Sequence, residues 1–403
     1  MEQNIDKIYK EAIASGLLPG VSLIAGDKDG NILYSKSFGK ASTKEGDERP
    51  FTESTIAFMA SMTKLMTSVA VLQCVEDGTL DLDQDVKPLL PDVGKYGLIN
   101  GFDDASNTAT LTENSTPITL RMLLSHTSGY QYDWASPLLR RWRISRNEVP
   151  WAGATIEEKA ALPLVHAPGK GWAYGPGHEW AGRAIEVATK STLEDFMHAR
   201  IWTPLGIEND STFFPLAKEG LKERMAELST LNEKGEPPAV PSDLDLRGGS
   251  KVCLGGGGLC TSTKGYYTFL SAVLRRDPKL LNPASYTELF RAQLDDECEQ
   301  ALNDSLAAAA APPIYLNLNM QTPASVRKSF GFAGLVVKDG QEGRCAPGTL
   351  LWGGFPSTAW FIDPEAGICG TAVCQILPPF FGPIMDLHTE FQRIIYSEAK
   401  GKQ

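Results

Sequence analysis

The chain has no long hydrophobic run: none of its 403 residues lies in a stretch of about 18 consecutive apolar residues, the length that a membrane-spanning helix needs. Met1–Lys7 also lacks the basic stretch followed by an apolar run that is typical of a signal peptide. We therefore expect a cytoplasmic protein that has no membrane partner.

Positive charge is scarce as well. The 38 lysines and arginines are outnumbered by 49 aspartates and glutamates, which gives a formal net charge of −11. Proteins that bind nucleic acids present a basic surface to the phosphates, and no basic stripe of that kind occurs in this sequence. The composition thus argues against a nucleic-acid partner.

Residue patterns for metals and disulfides are missing too. The five histidines form no His-x-x-x-His pair, and Cys253 and Cys260 lack the spacing of metal ligands. The seven cysteines are odd in number and lie scattered, mostly among apolar residues. This favours buried free thiols in a reducing compartment over a disulfide framework. We therefore predict no metal site and no cofactor.

The rest of the sequence is organised around a mostly apolar stretch, Ala57–Leu72, which no Gly or Pro interrupts. It predicts a buried helix with Ser61 and Lys64 near its start, and a spacing of three places these two side chains on one helix face. A lysine among Met, Ala, Val and Leu loses hydration, which disfavours its charged form. Such a lysine is suited to take a proton from the serine and make it a nucleophile.

The Ser-x-x-Lys pattern is weak evidence by itself, because it occurs four times. The four copies are Ser37/Lys40, Ser61/Lys64, Ser325/Lys328 and Ser397/Lys400. Only Ser61/Lys64 stands at the head of a long apolar helix, whereas the other copies lie in polar, glycine-containing or terminal segments. Ser61 and Lys64 are therefore the candidates for chemistry.

Strand patterns are concentrated at the two ends of the chain, and helical patterns fill the middle. The predicted strands are residues 20–26, 31–38, 331–337, 349–352, 357–362 and 370–375, the first two forming a hairpin. A final helix is predicted at residues 383–398, a polar surface loop at 96–117, and a loop or frayed helix at 307–313.

This order of elements predicts an α+β fold in which both ends of the chain build one sheet. Short connections between the late strands favour antiparallel pairing. We assign residues 1–95 and 246–403 to a discontinuous sheet domain and residues 96–245 to a mainly helical insertion domain. The active site is expected between the two.

A run of four glycines, Gly255–Gly258, has two interpretations. Glycine-rich loops cradle phosphates, but no Lys-Ser/Thr pair follows this one at P-loop spacing. Close packing of the backbone beside a site is therefore the favoured interpretation.

Six segments recur in an order that is typical of a known superfamily. They are Ser61–Lys64, Leu123–Gly129, Pro168–Tyr174, Trp202–Ile207, Gly257–Thr263 and Trp352–Phe355. Together with the early hairpin they resemble the serine β-lactamase and penicillin-binding-protein superfamily, specifically its class C-like esterase and acyltransferase branch. The resemblance covers nearly the whole chain and implies a β-lactamase/transpeptidase-like fold: a mainly antiparallel sheet flanked by helices, plus an inserted helical domain.

The resemblance also implies the chemistry of the site. Ser61 would be the nucleophile that becomes acylated, and Lys64 and Tyr174 would share the proton. The backbone N–H groups of Ser61 and Phe355 would form the oxyanion hole. By the same resemblance His126 is structural, and no direct catalytic role is assigned to His178 or Glu179.

Two departures from the superfamily pattern bear on the substrate. The tyrosine motif of β-lactamases is Tyr-x-Asn, but here Pro176 replaces the amide; their third motif has a lysine where Trp352 stands. We predict that Trp352, Gly353 and Gly354 bind substrate. Loss of both polar anchors argues against β-lactams and muropeptides and favours an uncharged ester or thioester.

These departures resemble the acyltransferases of fungal polyketide pathways. The leading hypothesis is transfer of an acyl group from a thioester donor, on a carrier protein or coenzyme A, to a hydroxyl of a small-molecule natural product. The alternative is a carboxylesterase that uses the same residues with water as acceptor. A β-lactamase or D,D-peptidase is disfavoured. A silent binding protein is expected to lack Ser61, Lys64 or Tyr174, and all of them are present.

Overall fold

A seven-stranded sheet is the central layer of the computed structural model, which describes residues 1–307 and 317–401. The strands of the described chain are β1 (Gly20–Asp27), β2 (Ile32–Gly39), β3 (Ile56–Phe58), β4 (Leu98–Asp103), β5 (Thr108–Thr112), β6 (Ser229–Thr230), β7 (Val240–Pro241), β8 (Cys260–Ser262), β9 (Lys328–Phe330), β10 (Leu335–Val337), β11 (Thr349–Gly354), β12 (Thr358–Asp363), β13 (Ile368–Cys374) and β14 (Ile376–Leu377). The central sheet has the order β2-β1-β13-β12-β11-β10-β9, and every neighbouring pair is antiparallel.

Helices cover both faces of this sheet. The α-helices of the described chain are α1 (Glu2–Ala14), α2 (Thr63–Glu76), α3 (Leu120–Ser125), α4 (Pro137–Ser145), α5 (Ile156–Ala160), α6 (Gly177–Thr189), α7 (Leu193–Met197), α8 (Thr203–Leu205), α9 (Thr263–Leu274), α10 (Pro283–Phe290), α11 (Asp296–Ala307) and a C-terminal helix (Gly382–Lys400). α9 packs on one face and α1 with the C-terminal helix on the other. Strand β13 is therefore buried at every position.

The predicted architecture is confirmed in its main lines. The sheet takes its strands from residues 20–39 and 328–374, and the helices α3 to α8 lie between them in the sequence. The boundaries of the two domains remain a prediction. Of the loop or frayed helix predicted at 307–313, only Ala307 lies within the described residues, where it ends α11.

The predicted helix over Ala57–Leu72 begins later than expected. Residues 56–58 form the short strand β3, which pairs with β8, and a single 3-10 turn at Ala60–Met62 precedes α2. A short apolar segment such as residues 56–58 suits a buried strand as well as the start of a buried helix, which is why periodicity alone missed the change. Ser61 consequently lies in the turn and Lys64 in the first turn of α2.

Two further predictions are corrected. Residues 96–117 contain the hairpin β4–β5 and not only a loop, because threonines alternate along β5 and β-branched residues favour strands. The single strand predicted at 331–337 is instead part of the hairpin β9–β10, and Gly331 and Gly334 lie in its connection. No helix among the described residues is long and apolar enough to cross a bilayer.

Candidate active site

The turn that carries Ser61 is fixed from several sides. The hydroxyl of Thr63 donates to the carbonyl of Ala60 (2.6 Å), and the hydroxyl of Tyr266 donates to the carbonyl of Met62 (2.8 Å). Ala60 has a φ of 46°, a left-handed conformation that costs a non-glycine residue about 1–2 kcal/mol. The surrounding hydrogen bonds therefore stabilise the turn with Ala60 in this costly conformation, directly before Ser61.

The ammonium group of Lys64 lies next to Ser61. Its Nζ is 3.2 Å from Ser61 Oγ, 3.2 Å from the hydroxyl of Tyr132 and 2.6 Å from the carbonyl oxygen of Gly256. The lysine is fully buried. The apolar surroundings expected from the sequence are thus only part of its environment, because three oxygen atoms surround the nitrogen.

Tyr174 completes the group. Its hydroxyl hydrogen-bonds Ser61 Oγ at 2.7 Å. His126 holds the chain on both sides of this tyrosine, since its carbonyl accepts from Ala173 N–H (3.0 Å) and its Nδ1 accepts from Gly175 N–H (3.3 Å). Burial lowers the pKa of His126, and a neutral ring is the form that accepts through Nδ1. These contacts agree with the structural role that the resemblance implies for His126, which stays a prediction.

Trp352 stands behind Tyr174 and not at the pocket surface. It is fully buried, and its indole N–H donates to the Tyr174 hydroxyl at 3.3 Å. Neither Trp352 nor its neighbours Gly353 and Gly354 is among the described residues that line the pocket. The structure thus shows a contact of Trp352 with Tyr174, and substrate binding by Trp352, Gly353 and Gly354 stays a prediction.

Two residues beside Lys64 were not singled out for chemistry. The hydroxyl of Tyr132 accepts from Lys64 and donates to the carboxylate of Glu179 (3.3 and 3.4 Å). Burial raises the pKa of Glu179, although Lys64 opposes the rise. Tyr132 follows the Leu123–Gly129 segment closely, but it lies in an irregular stretch where no periodicity shows the direction of a side chain.

The glycine run packs closely against these groups. A Cβ at Gly256 would overlap the Glu179 carboxylate, and one at Gly255 would overlap the carbonyl of His178. The carbonyl of Gly255 accepts from Thr67 (2.6 Å), as that of Gly256 does from Lys64. Close backbone packing beside the site, the interpretation favoured from the sequence, is confirmed.

Ser61 opens into a pocket of about 360 Å³ whose wall is largely aromatic. The aromatic residues in its lining are Phe58, Tyr132, Trp134, Trp151, Tyr174, Phe355 and Phe380. Tyr132 stacks on Trp134 and meets Trp151 edge to face, with ring centroids 5.2 and 5.1 Å apart. The rigid aromatic wall fits an apolar ligand.

Phe355 follows the end of β11, which lies beside the Ser61 turn. A Cβ at Gly354 would overlap the carbonyl of Met59, so the strand end and the turn touch through their backbones. Ser61 and Phe355 both line the pocket. This places the two residues of the predicted oxyanion hole at one cavity.

The chain that carries this serine, lysine and tyrosine matches a family model described as beta-lactamase over residues 5–391. The chain belongs to the beta-lactamase family. It is 34% identical to a lovastatin esterase of Penicillium rubens, with 99% of this chain and 100% of the relative covered. It is also 34% identical to a monacolin J acid methylbutanoyltransferase of Aspergillus terreus, with 98% and 95% covered.

Solved structures of the family confirm the fold. A mutant of simvastatin synthase from Aspergillus terreus superposes with a TM-score of 0.90 at 31% identity, covering 98% of this chain and 95% of the other. The predicted β-lactamase/transpeptidase-like fold is therefore correct. Within the family, this beta-lactamase-like chain is an enzyme of the acyltransferase and esterase group.

Proposed function

We propose that this enzyme is a serine acyltransferase that works through an acyl-enzyme on Ser61. The contact that carries the proposal is the hydrogen bond of 2.7 Å between the Tyr174 hydroxyl and Ser61 Oγ, with Lys64 Nζ at 3.2 Å from the same oxygen. A nucleophile, a proton acceptor and a cation thus meet at the foot of an apolar pocket.

In the first half-reaction Ser61 Oγ attacks the acyl carbonyl of the donor. Tyr174, whose hydroxyl lies 2.7 Å from Ser61 Oγ, takes the serine proton as the general base. It then delivers this proton to the leaving thiolate or alkoxide as the carbon–sulfur or carbon–oxygen bond breaks. In the second half-reaction an alcohol replaces the leaving group: its oxygen attacks the acyl carbon while Tyr174 takes its proton. The bond between the acyl carbon and Ser61 Oγ then breaks, Tyr174 returns the proton to Ser61 Oγ, and the product ester is released.

The negative charge that develops on the carbonyl oxygen needs hydrogen-bond donors. We propose the backbone N–H groups of Ser61 and Phe355, because both residues line the same pocket and the end of β11 touches the Ser61 turn. Fixed donors of this kind contribute about 2.7–4 kcal/mol each to catalysis in serine enzymes.

For the substrates we propose an acyl thioester, on a carrier protein or coenzyme A, as donor and a hydroxyl of a natural product as acceptor. The relative named methylbutanoyltransferase supports a short acyl group, and the aromatic pocket supports an apolar acceptor. We also propose a cytoplasmic location, since the seven cysteines are all free and buried, as a reducing compartment allows.

A carboxylesterase is the second candidate, because a relative of equal identity is named lovastatin esterase. The same acyl-enzyme serves both reactions, and only the acceptor differs. A β-lactamase or D,D-peptidase stays disfavoured, since the sequence has Trp352 and Pro176 in place of the lysine and the amide of the β-lactamase pattern.

Intact-mass spectrometry after incubation with short acyl thioesters and p-nitrophenyl esters tests the proposal. We expect an acyl adduct that is absent from Ser61→Ala, and product esters when candidate alcohols are added. Release to water alone, at a rate that alcohols do not change, would select the esterase. No adduct and no turnover with any donor would refute both.

Tyr174→Phe is the sharpest single variant. It removes the hydroxyl at 2.7 Å from Ser61 and keeps the ring. We expect turnover to fall by about 10²-fold or more, the usual contribution of general acid–base help. Turnover near that of the wild type would exclude this role for the hydroxyl.

A further inference from the structure

The charged side chains in the lining of the active-site pocket are of one sign. They are Glu179 and Asp245, and no lysine, arginine or histidine is among the described residues of the lining. Residues 308–316, which lie outside the described part, contain no basic residue in the sequence. The lining thus offers no counter-ion to a carboxylate.

Two lysines lie close behind the wall, but neither is available to a ligand. Lys64 is fully buried with three oxygen atoms around its Nζ. Lys159 is also fully buried, and its Nζ donates to the carbonyls of Trp151 (2.5 Å) and Gly248 (2.8 Å), two residues of the wall. Both ammonium groups are thus engaged by oxygen atoms of the wall, and neither lies on the surface of the pocket.

The Asp245 carboxylate is exposed and fixed in place. It accepts from the N–H groups of Arg247 (2.9 Å) and Gly249 (2.7 Å). An anionic group that enters beside it would lose hydration against the aromatic wall and would be repelled by the carboxylate. A neutral group has a smaller desolvation cost and is not repelled by the carboxylate.

We propose that this pocket selects esters and alcohols without a carboxylate, so that neutral or cationic substrates are preferred to anionic ones. The inference rests on the proposed function, because it names the substrate class of the same site. The transferase relative is named for an acid, monacolin J acid. The inference therefore predicts a difference between this chain and that relative.

Matched substrates test the charge preference. On the donor side, p-nitrophenyl pentanoate is compared with p-nitrophenyl hemiglutarate, which carries a terminal carboxylate on a chain of equal length. On the acceptor side, cyclohexylmethanol is compared with its 4-carboxylate and 4-aminomethyl derivatives in the capture of the acyl-enzyme. We expect acylation and capture to be about tenfold slower for the anionic members at low ionic strength. The difference in rate between anionic and neutral substrates should decrease as salt is added.

A pair of variants separates the pocket from the net charge of the protein. Asp245→Asn removes the charge in the lining, and Asp243→Asn removes the same charge two residues away, at an exposed position outside the lining. We expect the anionic-to-neutral rate ratio to rise about threefold to fivefold in D245N and to stay at the wild-type value in D243N.

The outcomes are distinct. Equal rates for anionic and neutral substrates, or equal changes of the ratio in D245N and D243N, would overturn the inference while leaving the acyl-enzyme proposal intact. If no alcohol captures the acyl group, the ester pair alone decides. Failure of the neutral ester to acylate Ser61 would overturn the proposed function and the inference with it.

Discussion

Trp352→Phe tests whether the buried indole assists catalysis without touching substrate. The substitution removes the N–H that donates to the Tyr174 hydroxyl at 3.3 Å and keeps an aromatic ring in β11. Tyr174 would then retain its contact with Ser61 but lose the donor behind it. The serine, the lysine and the pocket lining stay unchanged.

The magnitude follows from the charge on the tyrosine oxygen. A hydrogen bond to a charged group contributes about 1.5–3 kcal/mol, against about 0.5–1.5 kcal/mol for a neutral pair. Because the distance of 3.3 Å is long, we take the low end, about 1.5 kcal/mol, whenever the oxygen carries negative charge. This corresponds to about a tenfold decrease in kcat.

Trp360→Phe is the matched control. Trp360 lies opposite Trp352 in the pairing of β11 with β12 and is also buried, but its indole N–H has no hydrogen-bond partner in the described part of the chain. The two variants delete the same atoms from the same sheet. A change that arises only from looser packing should therefore appear in both.

The assay is the burst and steady-state hydrolysis of a p-nitrophenyl ester, with Tm measured for each variant. We expect W352F to lose about tenfold in kcat and W360F to stay near the wild type. If W352F keeps the rate of W360F, the indole N–H does not act on Tyr174 during the reaction and our reasoning is wrong.

Two further predictions concern buried titratable groups. In Glu179→Gln we expect the acidic limb of the pH profile of kcat/KM to disappear, because burial raises the pKa of Glu179 and its protonation then weakens the Tyr132–Lys64 contact. The control Glu186→Gln, on the same helix, should keep this limb. An acidic limb that is unchanged in both variants would exclude this role of Glu179. His388 is fully buried, and burial lowers its pKa from 6.5 to about 4, so protonation favours the unfolded chain. Its contribution to stability is present above about pH 6.5 and is lost as the pH falls toward 4, up to about 3 kcal/mol. The free energy of unfolding in urea should therefore decrease less steeply with falling pH in His388→Gln, and as in the wild type in the exposed-site control His198→Gln. An equally steep decrease in the wild type and both variants would contradict this role of His388.

The parts of the fold that were predictable are those in which local pattern and tertiary structure agree. The early hairpin and the strands β11 to β13 alternate or run apolar between clear turns, and the C-terminal helix carries its apolar face at regular spacing. The start of α2 was not predictable in this way. Residues 56–72 are mostly apolar and contain no Gly or Pro, so strand, turn and helix share one hydrophobic signal.

The residues of the candidate site also fall into those that the sequence predicted and those that it did not. Ser61, Lys64 and Tyr174 were found because ordered segments of the chain resemble a known superfamily, and the structure brings their polar atoms together. Tyr132 and Glu179 lack such a segment-level signal for a role in chemistry. They meet across 47 positions of sequence through a contact that depends on how α6 packs beside α2.

Trp352 connects the chemistry of this site with its substrate preference. A lysine at this position, as in the β-lactamase pattern, would place a positive charge beside the reacting carbonyl and offer a counter-ion to a substrate carboxylate. The indole instead keeps one N–H donor, which Tyr174 uses, and brings no charge. Trp352 therefore gives Tyr174 a neutral hydrogen-bond donor and leaves Lys64, which is fully buried, as the cation next to Ser61. A lysine introduced by Trp352→Lys should then bring anionic esters closer to neutral ones in rate, and an unchanged preference in such a variant would show that the selection arises at Asp245 alone.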